Sequence, residues 1–196
     1  MPKTKSRGRP SEVRIIAGTL RGRKVMFQES HPMYALRPTS DRIRETLFNW
    51  LSPVIFNTEC LDAFAGSGAL SFEAISRGAK QVTLIEKCSQ TIKHIQENAE
   101  RFKIAPTQFN VLCRDTLDYL AETNQIFDII FLDPPFQQSL LNPCIQLITS
   151  RGLIRSGGYV YTESAEPLSL ENFPQCWGQT HAKKAGSVYY GLLQKQ

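Results

Sequence analysis

The stretch Leu61-Asp62-Ala63-Phe64-Ala65-Gly66-Ser67-Gly68-Ala69-Leu70 constrains this chain more than any other. A short apolar run after Asn57-Thr58-Glu59 ends in it, and two glycines then turn the backbone. Residues 69–77 read as a helix closed by Gly78, a residue type favoured just past a helix end. Strand, glycine turn and helix open a nucleotide-binding βαβ unit, because glycine lets the backbone approach a ligand that a Cβ would hold away. A single G-x-G also occurs in turns shaped only by packing, so support has to come from neighbouring residues.

Two carboxylates and one serine provide it. Ser71 stands where the dinucleotide fingerprint has its third glycine, and Asp62 sits just before the turn. A carboxylate there repels a pyrophosphate and attracts a sulfonium. Glu86 closes the next predicted strand, 82–86, where a carboxylate accepts both hydroxyls of a ribose. The pattern favours S-adenosylmethionine over NAD. A dinucleotide-dependent oxidoreductase is the rival that these charges disfavour.

The pattern after the turn alternates. Strands are expected at 82–86, 109–113, 127–132 and 158–163, with helices at 89–102, 116–122 and 140–150 between them. Such alternation means a parallel sheet with helices on both faces. The 127–132 run is apolar apart from Asp128, as a strand at the sheet centre requires. Residues 179–183 and 187–193 read as a final antiparallel pair. Upstream, 13–17 and 24–27 flank a Gly18–Gly22 turn and form a hairpin presenting Arg14, Arg21, Arg23 and Lys24 together. Residues 29–36 read as a loop. Thr39, Ser40 or Asp41 caps a helix whose Ile43, Leu47, Trp50 and Leu51 face inward, with Arg42, Arg44 and Glu45 off the stripe, on a solvated face by default or, as the sharper option, against RNA or cofactor.

Ligands of open α/β sheets bind beyond the carboxyl ends of the strands. Four predicted strand ends carry acids there: Asp62, Glu86, Asp115 and Asp133. Asp115 is placed to accept from an adenine amino group. In Asp133-Pro134-Pro135-Phe136 the two prolines stop the ladder and fix the backbone. Their lack of N–H groups leaves local carbonyls free to accept from something else. Phe136 offers a flat face on which a base can stack. The tetrapeptide suits a planar heterocycle bearing an exocyclic amine.

Charge is unevenly placed. The first 24 residues hold eight basic side chains against the single acid Glu12, while the remainder of this +5 chain carries −2. A basic arm on a near-neutral body points to a polyanion, most plausibly nucleic acid; a tail that merely solubilises is the alternative. Residues 1–11 are expected to order only on binding. The five cysteines lack any C-x-x-C pair, and Cys60 and Cys113 are expected as buried thiols on strands in a reducing compartment. The three histidines are isolated, so no metal is expected. No apolar run approaches the length of a membrane span and no secretory signal opens the chain, which places it in the cytoplasm.

The acids, the glycine turn and the Asp-Pro-Pro-Phe stretch, in this order, resemble class I S-adenosylmethionine-dependent methyltransferases acting on amino nitrogens of nucleobases. More narrowly, Arg14-Ile15-Ile16-Ala17-Gly18-Thr19-Leu20-Arg21-Gly22-Arg23-Lys24 and Leu36-Arg37-Pro38-Thr39-Ser40-Asp41-Arg42-Ile43-Arg44-Glu45-Thr46-Leu47-Phe48-Asn49-Trp50 resemble the RsmD family of bacterial 16S ribosomal RNA guanine-N2 methyltransferases. The likeness covers nearly the whole chain and is weak from Ser164 onward. It implies a Rossmann-like class I methyltransferase fold, a mostly parallel seven-stranded sheet with helices on both faces and an N-terminal β-hairpin extension. Residues 1–36 would be the basic arm and hairpin, and 37–196 the methyltransferase domain. The implied cofactor is S-adenosyl-L-methionine, held by Asp62, Phe64, Gly66, Gly68, Glu86, Lys87, Asp115, Thr116 and Asp133. Asp133, Pro134, Pro135 and Phe136 would be catalytic, and Arg14, Arg21, Arg23, Lys24, Arg37 and Arg42 would bind RNA. The implied partner is 16S ribosomal RNA within the assembled small subunit, met by a monomer. Asp133 stands where adenine and cytosine enzymes usually carry Asn, which fits guanine. Methylation of adenine N6 or cytosine N4, and a noncatalytic RNA-binding module, remain the rival functions.

Overall fold

In the computed structural model, which describes residues 10–28, 39–135, 139–168 and 173–196, the alternating apolar runs form one sheet. Strands β1 (Pro10–Arg14) and β2 (Lys24–Gln28) pair as a separate antiparallel hairpin. Then follow α1 (Asp41–Leu51), β3 (Glu59–Asp62), α2 (Ala69–Ser76), β4 (Gln81–Glu86), α3 (Ser89–Phe102), β5 (Phe109–Cys113) and α4 (Thr116–Glu122). The chain ends with β6 (Phe127–Leu132), α5 (Leu141–Ser150), β7 (Ile154–Ser164), β8 (Trp177–Ala185) and β9 (Val188–Lys195). The seven-stranded order is β5-β4-β3-β6-β7-β9-β8. Strands β3 to β7 are parallel, and β9 and β8 add antiparallel to that edge. Phe127, Ile129, Ile130, Phe131 and Leu132 of β6 are all buried, because helices cover both faces of the sheet centre. The chain steps outward from β3 to β5 and then returns to β6 on the other side of β3, so strand order reverses between β3 and β6. Among the described residues no helix is long and apolar enough to cross a membrane.

The hairpin is tied to the sheet's helices through α2. Ile16 N and Ala17 N donate to the buried Glu73 carboxylate at 2.8 and 3.1 Å, and Arg77 Nε donates to it at 2.8 Å. Thr19 N donates to Ser76 O at 2.8 Å and Leu20 N to Ser76 Oγ at 2.9 Å. These bonds draw 15–17 out of the ladder, so β1 ends at Arg14 instead of continuing to residue 17. Pro10 and Ser11, expected in the unordered tail, are paired with Gln28 and Phe27. Asn98 of α3 holds the other strand, donating to Met26 O at 2.7 Å and accepting from Met26 N at 3.0 Å.

Three further expectations are corrected. Arg44 is fully buried instead of solvated. Its Nη2 donates to Arg14 O at 2.9 Å and to Asp41 Oδ1 at 2.6 Å, so α1 grips the base of the hairpin through a guanidinium. Cys113 is exposed, since it is the last residue of β5 at the sheet's open edge, whereas Cys60 is buried as expected. Strand β7 begins at Ile154, because Phe127 pairs with Ile154 before an irregularity and the ladder resumes at Ile129 and Tyr159. The loop expected at 29–36 lies outside the described residues.

Candidate active site

The crevice at the β3–β6 reversal gathers the strand-end acids. Asp62 ends β3, Glu86 ends β4, and Asp133 follows the last residue of β6. Between them the glycine turn runs over the sheet edge. Gly66 and Gly68 have φ of 51° and 78°, the left-handed region that side chains disfavour. At Gly68 a Cβ would also stand 3.0 Å from Phe72 Cε2, so this glycine serves packing as well as open space.

Glu86 holds the turn. Gly66 N donates to its Oε2 at 3.0 Å and Cys88 N to its Oε1 at 2.8 Å. The residue is half-buried, and its carboxylate, which accepts only, suits hydroxyl donors. Burial raises its pKa, opposed by those backbone N–H groups. Asp62 is 2% exposed and accepts from Ser71 Oγ at 2.6 Å. Burial pushes the Asp62 carboxyl up to about 6 against the pull of that hydroxyl. A crevice of carboxylates beside a turn with two glycines fits a cationic sulfonium nucleoside in charge and shape.

Asp115 and its neighbours are more heavily engaged. Asp115 Oδ1 caps α4, accepting from Leu117 N at 2.7 Å and Asp118 N at 3.1 Å, and Oδ2 pairs with Lys87. The Lys87 ammonium holds the Asp115 carboxyl below its usual range. An adenine amino group would share Oδ2 with that ammonium. Thr116 Oγ1 donates to Ala63 O, tying the start of α4 to the end of β3. Phe64 is half-buried and packs against the side of the sheet covered by α4 and α5.

Asp133 is half-buried, Pro134 is buried and Pro135 exposed; Phe136 lies outside the described residues. Sequence reasoning missed two groups behind Asp133. Thr39 Oγ1 lies 3.0 Å from Asp133 Oδ2 and 2.8 Å from Glu163 Oε1. Glu163 is also a strand-end acid, near the end of β7, and counting it with the other four would have flagged it. Thr39 showed only as a candidate helix cap, and Ser40 takes that role, accepting from Ile43 N.

The expected RNA-binding side chains divide. Arg14, Arg21, Arg23, Lys24 and Arg42 are exposed, whereas Arg37 lies outside the described residues. Gly22, Arg23, Lys24, Arg101 and Phe102 line one surface depression. There Arg23 lies over the Phe102 ring at 5.6 Å, and Arg101 Nη2 donates to Lys24 O. Arg101 is a basic residue that the sequence pattern did not assign to this patch. It stands one turn beyond Asn98, whose grip on β2 leaves no mark in the sequence. Lys24 is partly neutralised by Glu12 Oε1 at 2.7 Å.

The sheet order, the glycine turn and the acids at the reversal together define a class I methyltransferase fold. A solved structure of a candidate methyltransferase from Escherichia coli matches it with a TM-score of 0.86 and 39% identity, covering 95% of this chain and 99% of that one. The family described as Conserved hypothetical protein 95 matches residues 13–194, and the chain belongs to it, the RsmD methyltransferase family. Ribosomal RNA small subunit methyltransferase D of Haemophilus influenzae is 41% identical over 196 residues, covering 99% of this chain and 100% of that protein. The protein of the same name from Escherichia coli strain K12 is 40% identical over 185 residues, covering 94% and 91%.

Proposed function

We propose that this chain methylates the exocyclic N2 of one guanine in 16S ribosomal RNA, within the small ribosomal subunit, using S-adenosylmethionine. The observation that carries the reading is the crevice at the β3–β6 reversal, where Asp62, Glu86 and Asp133 meet a glycine turn. The names of the relatives support the substrate class.

When bound, S-adenosylmethionine supplies a methyl group activated by its sulfonium. Glu86 would accept the ribose hydroxyls. Asp62 lies behind the turn and offers negative charge to the cationic end of the nucleoside. Phe64 and the Asp115 end of α4 would flank the adenine. Arg14, Arg21, Arg23, Lys24 and Arg42 would neutralise phosphates and place the RNA. The target base would be flipped from its stack and held against Phe136. In its ionised form Asp133, with a neighbouring carbonyl of the proline pair, accepts the two N2 hydrogens and aims the nitrogen lone pair at the methyl. An N–C bond forms as the S–C bond breaks, and one N2 proton leaves. Positioning and fixed charge supply most of the rate in such a displacement.

The test is incubation of the protein with methyl-labelled S-adenosylmethionine and undermethylated small subunits, followed by mapping of the labelled nucleoside. N2-methylguanosine at one site supports the reading. Label on adenine or cytosine assigns another amino base, and absence of transfer removes the enzyme.

A further inference from the structure

The far edge of the sheet carries two cations held by aromatic rings. Strand β8 is the outermost strand, and its residues 179–184 are all exposed. Residues 172–196 hold Lys183, Lys184 and Lys195 and no acidic side chain. Lys183 pairs with Tyr190 of β9 and through it with Glu163 of β7, and Lys184 pairs with Tyr189 and through it with Ser164. The last rung between β6 and β7 joins Leu132 to Thr162, and Asp133 follows. Both lysines therefore stand at the crevice end of the sheet, three strands from Asp133, about 14 Å at the usual strand spacing. Lys24, Lys80, Lys87 and Lys93 are each paired with a carboxylate. Lys183 and Lys184 are held otherwise. Lys183 Nζ lies 5.8 Å from the Trp50 ring centroid, and Lys184 Nζ donates to Tyr189 Oη at 2.8 Å. His181 stacks on the same Trp50 ring at 4.8 Å. Glu163 shares the Lys183 rung but is buried against Thr39 and Tyr161. Aromatic partners orient an ammonium without neutralising it, so two ordered positive charges stay unmatched among the described residues.

The hairpin turn does not supply charge there. Thr19 and Leu20 bond Ser76, the last residue of α2, and Arg23 lies over Phe102, the last residue of α3. Both helices start at the crevice, so the turn bearing Arg21, Arg23 and Lys24 hangs at their far ends. Along the 14 residues of α3 that is about 20 Å from the crevice. Lysines on an edge strand also guard it against pairing with another chain. That role is served by charge of either sign at any rung and needs no aromatic clamp. We propose that Lys183 and Lys184 form a second RNA anchor, holding phosphates of the strand that flanks the target base on the β8 side of the crevice. The inference rests on the methyltransferase reading and adds a contact surface to it. The partner is RNA because phosphates match two cations in a stretch without acids, beside the place where the base must enter.

Filter binding of the target RNA segment across salt concentrations tests this. Lys183→Glu with Lys184→Glu keeps the edge charged but repels phosphates. It is expected to weaken binding on the order of tenfold at low salt and to flatten the log–log salt slope by roughly 1.5 units. Lys183→Arg with Lys184→Arg keeps both affinity and slope. Lys80→Glu with Lys93→Glu changes net charge equally, at lysines already matched by carboxylates, and costs far less. Losses from the β8 reversal and from Arg21→Ala with Arg23→Ala multiply, as expected of distant sites. In single-turnover methylation the reversal raises the half-saturating concentration of small subunits. It keeps the rate at saturation and the affinity for S-adenosylmethionine. Unchanged affinity and slope, or an equal loss in the Lys80 and Lys93 control, overturn the anchor. Sedimentation overturns it too if the parent self-associates and the β8 reversal makes it monomeric with RNA affinity unchanged; the edge then belongs to a second copy. A parent that binds the RNA segment through these lysines but transfers no methyl overturns the function and leaves the anchor standing. If the reversal fails to fold, Lys183→Gln with Lys184→Gln gives the same two readings of affinity and slope.

Discussion

Ser71 Oγ donates a 2.6 Å hydrogen bond to Asp62 Oδ2, from the first turn of α2 back to the end of β3. Both side chains are almost fully buried. The residue that replaces the third glycine of the dinucleotide fingerprint thus holds the carboxylate that a pyrophosphate would avoid. One substitution pattern, glycine lost and serine gained, accounts for both departures from that fingerprint.

A pH dependence of cofactor binding follows. Burial raises the Asp62 carboxyl to about 6, with the Ser71 hydrogen bond as the largest opposing influence. The ionised form predominates above that value and is lost as pH falls through it. Affinity for S-adenosylmethionine should therefore decline as pH drops through about 6. Ser71→Ala removes the opposing bond and should move the decline to higher pH. Calorimetric titrations across that interval check both; an affinity flat through it would remove Asp62 from the cationic end of the site.

The hairpin depends on Gly18. Its φ is 81°, and a Cβ there would sit 1.8 Å from Ser76 O, a backbone atom that cannot swing aside. Gly18→Ala should cost on the order of 2–4 kcal/mol, from left-handed strain and the loss of two or three hydrogen bonds. Hydrogen exchange should show the loss first at the Thr19 and Leu20 amides, which bond Ser76. Cofactor affinity should persist, since the crevice lies at the other end of α2. Global loss of structure at low denaturant would mean that the hairpin is more than an attachment.

The parts legible in the chain are those whose cause is local. The glycine turn, the apolar run of β6 and the amphipathic stripe of α1 announce themselves within a few residues of sequence. Arg44 does not. It sits in a charged stretch, Asp41 to Glu45, and beside its ion pair with Asp41 its burial rests on the carbonyl of Arg14, thirty positions away. Glu163 is hidden for the same reason, because its partner Thr39 lies 124 positions upstream. The early end of β1 also has a remote cause, the Glu73 carboxylate that takes the Ile16 and Ala17 amides. Contacts over such separations leave no periodicity to read.

Salt should expose the role of the hairpin. Arg21 and Arg23 are both exposed, and neither is paired with a carboxylate among the described ion pairs. If each neutralises a phosphate, Arg21→Ala with Arg23→Ala should lower RNA affinity and flatten the log–log salt slope by roughly 1.5 units. Arg101→Ala should have a smaller effect, since its Nη2 is occupied by Lys24 O and Asn98 Oδ1. Filter binding of the target RNA segment at several salt concentrations measures this. An unchanged slope would leave the hairpin's basic residues a solubilising role.

Asp133→Asn is the most discriminating variant at the reacting nitrogen. An ionised carboxylate only accepts hydrogen bonds, whereas an amide also donates. Guanine N2 presents two donors, and its charge becomes positive as the methyl arrives, so a carboxylate favours the transition state over the ground state. Asn keeps the shape and one acceptor oxygen, which can still take the Thr39 hydroxyl 3.0 Å away, but cannot carry the charge. The expected loss in kcat is roughly ten- to a thousandfold, the scale of one fixed electrostatic contact. Asp133→Ala should lose more, because the acceptor itself is gone. Cofactor affinity should change little in either, since Glu86 and the turn it holds through Gly66 remain. RNA affinity should also persist, because the hairpin is untouched. Single-turnover transfer to small subunits by the parent and both variants ranks the three. Transfer by Asp133→Asn at the parental rate would strip the carboxylate of any role in charge or proton movement and leave it a spacer.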